Sequence, residues 1–294
     1  MRVGALEAGG TKMVCAIGDE NGNIYDQISI KTETPDITIP QIYDYFSNKN
    51  IEALGVASFG PVDLNRNSST YGYITSTPKK GWNHYDIVGA FKGLGVPVGF
   101  DTDVNGSVLG EATYGDAKGL NNIVYFTIGT GIGAGVISEG RLLHGMLHPE
   151  AGHMTLKRHP KDVDFECNCP YHDSCFEGLA AGPSIEKRFG IKASELPTNH
   201  IAWEIESYYI AQALVNTTMI LSPDKFILGG GVMHQLHLFP LIRKEFEKQM
   251  NGYINTDRIK DLDNYIIPQS LDDKQGIMGA LKLGVMEKEL MYGI

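Results

Sequence analysis

Cys167, Cys169, His172 and Cys175 fall within nine residues, and His153 stands upstream of them. Three of the chain's four cysteines lie in this stretch. Zn²⁺ takes four tetrahedral ligands from thiolate and imidazole, and close spacing lets one tight loop supply several. Cys169, His172 and Cys175 are spaced i, i+3, i+6, a knuckle-like turn that can converge on one ion, and His153 can close the site. Cys167 is the competing ligand. The alternative is a disulfide or a pair of buried thiols, against which the polar neighbours Asp164, Glu166, Asn168 and Asp173 argue. In a reducing compartment such a cluster reads as one structural zinc.

Two carboxylates flank this loop. Glu150 stands three residues before His153, and Glu177 two after Cys175. A structural zinc would hold both rigidly, which suits hydrogen bonding to the hydroxyls of a polyol. A solvated acidic surface is the plain alternative.

Glu7-Ala8-Gly9-Gly10-Thr11-Lys12 is a glycine-rich turn between strands, and no G-x-x-x-x-G-K-[ST] occurs. Gly129-Thr130-Gly131-Ile132-Gly133 also joins strands and does not open a helix, so it is no dinucleotide fingerprint. Glycines in such turns let backbone N–H groups approach phosphate oxygens, and Thr11 and Thr130 add hydroxyl donors. One glycine hairpin is usually just a turn. Two at matching places could grip a polyphosphate. Gly229-Gly230-Gly231 after an apolar strand leaves room for a flat base, or is a helix-entry loop. Gly182-Pro183, with Pro placed for a first helical turn, looks similar. Asp101-Thr102-Asp103 ends an apolar strand. A carboxylate there suits a general base, although Asp103 taken alone reads as a helix N-cap.

The elements that must position these groups repeat. Strands at 2–6, 13–18 and 24–31 precede a helix at 38–47, a strand at 53–59 and a long polar loop at 63–84. A short helix at 85–94, a strand at 96–100 and a helix at 104–114 follow. The order then restarts, with strands at 123–128, 132–138 and 141–145. Helices come from 183 and over 200–221, then a strand at 225–228, a helix at 238–250, a strand at 265–267 and a last helix at 274–289. EAGGTKMVCAI at 7–17 matches TIGTGIGAGVI at 127–137, an offset of 120. Duplicated α/β halves imply two similar domains with a cleft between them, a common place for ligands.

The 294 residues supply ample core for this arrangement. The net charge of −10 argues against a nucleic-acid partner. No apolar run approaches the ~20 residues of a membrane span, and the N-terminus lacks the apolar core of a signal peptide. A cytoplasmic protein is the expectation.

Together these residues resemble the ROK family of sugar kinases and sugar-responsive repressors, within the actin-like ATPase superfamily. The resemblance covers nearly the whole chain. EAGGTK is similar to the family's first phosphate hairpin, FTIGTGIGAGVI to its signature segment and HPEAGH to its E-x-G-H motif. CPYHDSC with Phe176 and Glu177 resembles the metal loop of the fructokinase branch, and GVASFGP, TPKKGW and DTDVN point the same way. The resemblance implies two actin-like (ribonuclease H-like) ATPase domains, 1–115 with about 275–294, and 116–274 carrying the zinc loop. It implies ATP-dependent phosphorylation of fructose to fructose 6-phosphate. Other hexoses such as mannose or glucose, or a non-catalytic sugar-responsive regulator, are the alternatives. Repressors of the family carry a helix-turn-helix before the first hairpin, whereas six residues precede Glu7 here. Asp103 would be the catalytic base, with Thr102, in place of the usual Asn, among the sugar-binding residues. Glu150, His153 and Glu177 would hold the sugar, His153 giving one nitrogen to zinc. Gly9, Gly10, Thr11, Lys12, Gly129, Thr130, Gly131, Gly133, Gly182, Pro183, Gly229, Gly230 and Gly231 would bind Mg-ATP, with Glu7 on the magnesium waters. His153, Cys169, His172 and Cys175 would be the zinc ligands. A homodimer is expected. Sugar discrimination is expected from loop 63–84, through an aromatic face at Trp82.

Overall fold

The computed structural model describes residues 1–293. In chain order the elements begin with β1 (Val3–Ala8), β2 (Lys12–Gly18), β3 (Ile24–Lys31), α1 (Pro35–Ser47) and β4 (Ala53–Ser58). Next come β5 (Tyr73–Ile74), β6 (Tyr85–Asp86), β7 (Val98–Thr102) and α2 (Asp103–Tyr114). They continue with β8 (Ile123–Ile128), β9 (Ile132–Ser138), β10 (Arg141–Leu142), α3 (Phe176–Ala180), α4 (Gly182–Phe189) and α5 (Ala202–Leu221). The last are β11 (Lys225–Gly229), α6 (Leu238–Met250), α7 (Asp257–Lys260), α8 (Leu262–Tyr265), β12 (Ile266–Pro268) and α9 (Gln275–Tyr292).

The chain forms two compact units. The first holds Met1–Gly119, Leu142–His148 and the chain from Ser270 onward; the second holds Leu120–Arg141 and Pro149–Gln269. The first unit's sheet runs β3-β2-β1-β4-β7 and the second's β10-β9-β8-β11-β12. In each, an antiparallel hairpin continues into parallel strands.

β4 is buried at every residue and β1 at all but Glu7. Such continuous burial marks parallel strands covered on both faces. Alternation sorts the side chains: Leu6, Met13 and Cys15 join Phe46, Trp82 and Phe91 in one core, whereas Val3, Ala5 and Ala16 join Ile277 and Leu281 in another. Glycines bring α9 onto this second face. A Cβ on Gly55 would lie 1.7 Å from the Ala280 carbonyl, and one on Gly279 1.7 Å from that of Gly106.

The 120-residue offset carries through to strand bounds: β1 and β8, and β2 and β9, begin 120 residues apart. The register differs by one. Ala8 pairs with Met13 in the first hairpin and Ile128 with Ile132 in the second, so the second turn is one residue tighter.

Several local expectations are corrected. Residues 85–94 do not form one helix: a short strand pairs with β5, and a 3₁₀ turn follows over Gly89–Leu94. The helix cap before α2 is Thr102, whose side chain accepts the Asn105 N–H, so Asp103 is the first helical residue. Trp82 offers no aromatic face to a ligand. It is 1% exposed, donates its indole N–H to the Glu33 carbonyl and packs edge-on against Phe59 and Tyr85. Among the described residues no helix is long and apolar enough to cross a membrane.

Candidate active site

Asp103 is positioned by the junction of β7 and α2. Because Thr102 satisfies the cap, the Asp103 carboxylate makes one short local bond, from the Val104 N–H at 2.9 Å. Burial pushes its pKa up to about 6, against the lowering effect of that N–H. Glu7, at the end of β1, is pushed up to about 7, first by burial and then by Asp103; Lys12 opposes and Asp273 adds to it. Gly276 makes room for Glu7, since a Cβ there would lie 2.4 Å from its Oε1. Two mutually repelling carboxylates, one near the end of β1 and one just after β7, suit a bound cation or a proton-accepting role.

The sign of the pH dependence follows. Asp103 accepts a proton only when ionised, so any reaction using it as base gains rate as pH rises through about 6. A plot of log kcat/KM against pH is expected to climb with unit slope below that midpoint and level off above it. A flat profile across this range contradicts the assignment.

In the second unit, the metal loop is built around Cys175. Thr155 bridges to Cys175, Phe176 N donates to the Met154 carbonyl, and Leu156 N donates to that of Ser174. His153 is thereby laid beside the cysteines. The nearest ligand atoms are 3.9 Å (Cys169 Sγ to His153 Nδ1), 3.4 Å (Cys169 Sγ to His172 Nδ1) and 3.7 Å (Cys175 Sγ to His153 Nδ1). All four ligand atoms lie within 4.8 Å of one another. Zn–S and Zn–N bonds of about 2.3 and 2.0 Å give tetrahedral edges of roughly 3.5 Å, so this donor set fits zinc. Cys167 is outside the set. Its sulfur fills the space of the missing Gly178 side chain, 2.2 Å from where a Cβ would be.

Cys175 also caps α3, its sulfur accepting from the Gly178 N–H at 3.4 Å. That fixes Glu177 in the first turn. Glu177 Oε2 accepts the Ile132 N–H at 2.9 Å, and Oε1 lies 4.0 Å from His153 Nε2. His153 therefore turns Nδ1 to the metal site and Nε2 toward Glu177. Glu150 begins the 3₁₀ turn Ala151–His153, and its carbonyl accepts the His153 N–H. Gly152 lets this turn press on β9, because a Cβ there would lie 1.9 Å from the Ile132 carbonyl.

The glycine stretches of the second unit converge. Gly182 N donates to the Gly129 carbonyl at 2.7 Å, and a Cβ on Gly129 would meet Gly231 N at 3.5 Å. Gly230 has φ +89°, and its missing Cβ admits Ile128. Gly133 lies within β9 opposite Thr127. Gly229 serves packing, since Tyr125 and Gln269 occupy its side-chain space. Pro183 opens α4. In the first unit, Gly9 N donates to the Lys12 carbonyl and Thr32 Oγ1 to that of Gly9, leaving Thr11 and Lys12 exposed.

Sequence reading missed two contacts here. Lys79 donates to the Gly10 carbonyl and lines a cavity of about 520 Å³ with Gly10, Thr32 and Lys80. Asp101 and His144 pair beside Asp103. Nothing in their spacing signals either contact, since each partner is distant in sequence.

The ROK family model matches residues 3–286. The chain is 52% identical over 283 residues to a Bacillus subtilis (strain 168) protein with a provisional fructokinase name, covering 96% of this chain and 94% of that protein. It is 49% identical over 284 residues to a fructokinase of Pediococcus pentosaceus, covering 96% and 97%. A fructokinase of Zymomonas mobilis is 39% identical over 291 residues, covering 96% of each. Among solved structures, a ROK hexokinase from Thermus thermophilus superposes with a TM-score of 0.81 at 23% identity, covering 98% and 99%. A ROK family glucokinase from Streptomyces griseus, in complex with glucose and AMPPNP, gives 0.75 at 22% identity, covering 97% and 100%.

Proposed function

The chain belongs to the ROK family, and on that premise we propose that it is a fructokinase, transferring the γ-phosphoryl group of ATP to the 6-hydroxyl of fructose. One observation carries this: fructokinases at 39% and 49% identity match nearly end to end, with 96% of this chain covered in each case. The site chemistry supports it.

Asp103 takes the proton of the 6-hydroxyl as the phosphorus–oxygen bond forms. Its raised pKa keeps it a competent base near neutral pH. Glu150, His153 and Glu177 accept and donate hydrogen bonds to the sugar's hydroxyls. His153, Cys169, His172 and Cys175 would hold zinc, which would supply no chemistry to the transfer but would fix the loop that presents the sugar ligands. Backbone N–H groups and threonines of the two glycine hairpins hold the polyphosphate. Gly182, Pro183, Gly230 and Gly231 leave room for the nucleoside. Mg²⁺ would come bound to ATP, and Glu7 would hold its waters. Much of the rate then comes from positioning and charge neutralisation. The family resemblance also supports a homodimer, which light scattering on the purified protein measures.

An ADP-release assay over a sugar panel tests the function. Fructose is expected to exceed mannose and glucose in kcat/KM. Glucose turning over better than fructose would remove the fructokinase assignment and leave a broader hexose kinase.

A further inference from the structure

Beside Asp103 lies a pair that the kinase reading leaves without a role. Asp101 is 2% exposed, and its carboxylate is fully engaged. It receives the Thr102 N–H at 2.8 Å, Asn105 Nδ2 at 2.7 Å and His144 Nε2 at 2.8 Å. An ionised carboxylate only accepts, so His144 Nε2 carries the hydrogen. The 3.4 Å approach of Asn105 Nδ2 to that nitrogen is then donor against donor and makes no bond. His144 Nδ1 has no partner among the described residues, and the side chain is 40% exposed.

Two of the residues that the sequence nominated for the sugar are committed elsewhere. The Thr102 oxygen caps α2 and the residue is 2% exposed. Trp82 is buried in the first unit's core. His144 remains, with one nitrogen fixed and the other open.

We propose that His144, oriented by Asp101, is a specificity-determining residue of the sugar site, its Nδ1 bonding a hydroxyl of the hexose presented to Asp103. The assignment rests on the kinase reading above. Asp101 and Asp103 flank Thr102 at the end of β7, so the histidine is anchored two residues from the base. The segment 142–148 is held at a second point, where His148 Nε2 accepts the Val62 N–H at 3.2 Å, with a Gly145–Leu147 turn between. A buried carboxylate on one imidazole nitrogen fixes the ring and its tautomer, so the other nitrogen meets substrate already oriented. The same hydrogen bond raises the pKa of His144, which favours a donor at Nδ1.

The test uses two variants of the full chain. His144→Gln can place its amide nitrogen where Nε2 stands, keeping the bond to Asp101, but has nothing at the Nδ1 position. His144→Ala removes both. KM for fructose is expected to rise ~10- to 100-fold in each, the effect of one hydrogen bond to a charged or polarised group. KM for ATP and Tm should stay unchanged in the Gln variant. Singly deoxygenated fructoses locate the contact: one should lose affinity for the wild type and none further for His144→Gln. Wild-type fructose KM in His144→Gln would mean that the residue only holds its segment, and overturns the assignment alone. Wild-type protein inert toward every hexose would overturn the kinase reading and this assignment with it.

Discussion

Asp103→Asn is expected to leave a protein that binds sugar and ATP yet has lost nearly all phosphoryl transfer. An amide cannot take the hydroxyl proton, and loss of a positioned general base costs ~10²–10⁴ in rate. The substitution keeps the shape of the side chain and leaves the Thr102 cap on α2 untouched. Stability should not fall. The Asp103 pKa is raised by burial, so ionisation is unfavourable in the folded state: that penalty grows as pH rises from the ordinary carboxylate range through about 6 and is complete above it. Removing the charge removes the penalty, and Tm at neutral pH should hold or rise. Asp101→Asn should lose far less kcat, because Asp101 is enclosed by Thr102, Asn105 and His144. A dead Asp101→Asn beside an active Asp103→Asn would reverse the assignment of the base.

Loss of zinc should be nearly as damaging, by a different route. Cys175→Ser and Cys169→Ser each remove a ligand from a four-member set, and the protein should purify with far less than one zinc per chain. Cys175 also caps α3, and that helix carries Glu177. Freeing it releases Glu177 from both His153 and the Ile132 N–H of the hairpin. KM for fructose should therefore rise by ~10- to 100-fold or more, the usual scale for disturbing a metal's supporting shell, and ATP binding should weaken as well. Cys167→Ser should keep its zinc, because that sulfur packs against Gly178 instead of joining the cluster. Zinc lost from Cys167→Ser and retained by Cys169→Ser would exchange the two ligands.

How much of this was legible in the sequence depends on the range of the interactions involved. The hairpins were, because alternating apolar runs around glycines are local patterns and recur at a fixed offset. The convergence of His153, Cys169, His172 and Cys175 was, because three of the four are neighbours in sequence. The α2 cap was placed one residue late: Thr and Asp are both good caps, and only backbone geometry separates Thr102 from Asp103. Trp82 misled because an aromatic in a polar loop resembles a ligand platform. A carbonyl 49 residues away and a packing site on Phe59 take it into the core instead. His144 and Lys79 were invisible, since their partners Asp101 and Gly10 lie 43 and 69 residues away.

The central claim is transfer to the 6-hydroxyl of fructose. Phosphorus-31 NMR of a reaction with Mg-ATP and fructose labelled with carbon-13 at C6 measures it most directly. One new phosphomonoester signal is expected, split by coupling to the labelled carbon and growing as ATP is converted to ADP. An unsplit product signal, or ATP left intact beside fructose, would contradict the account.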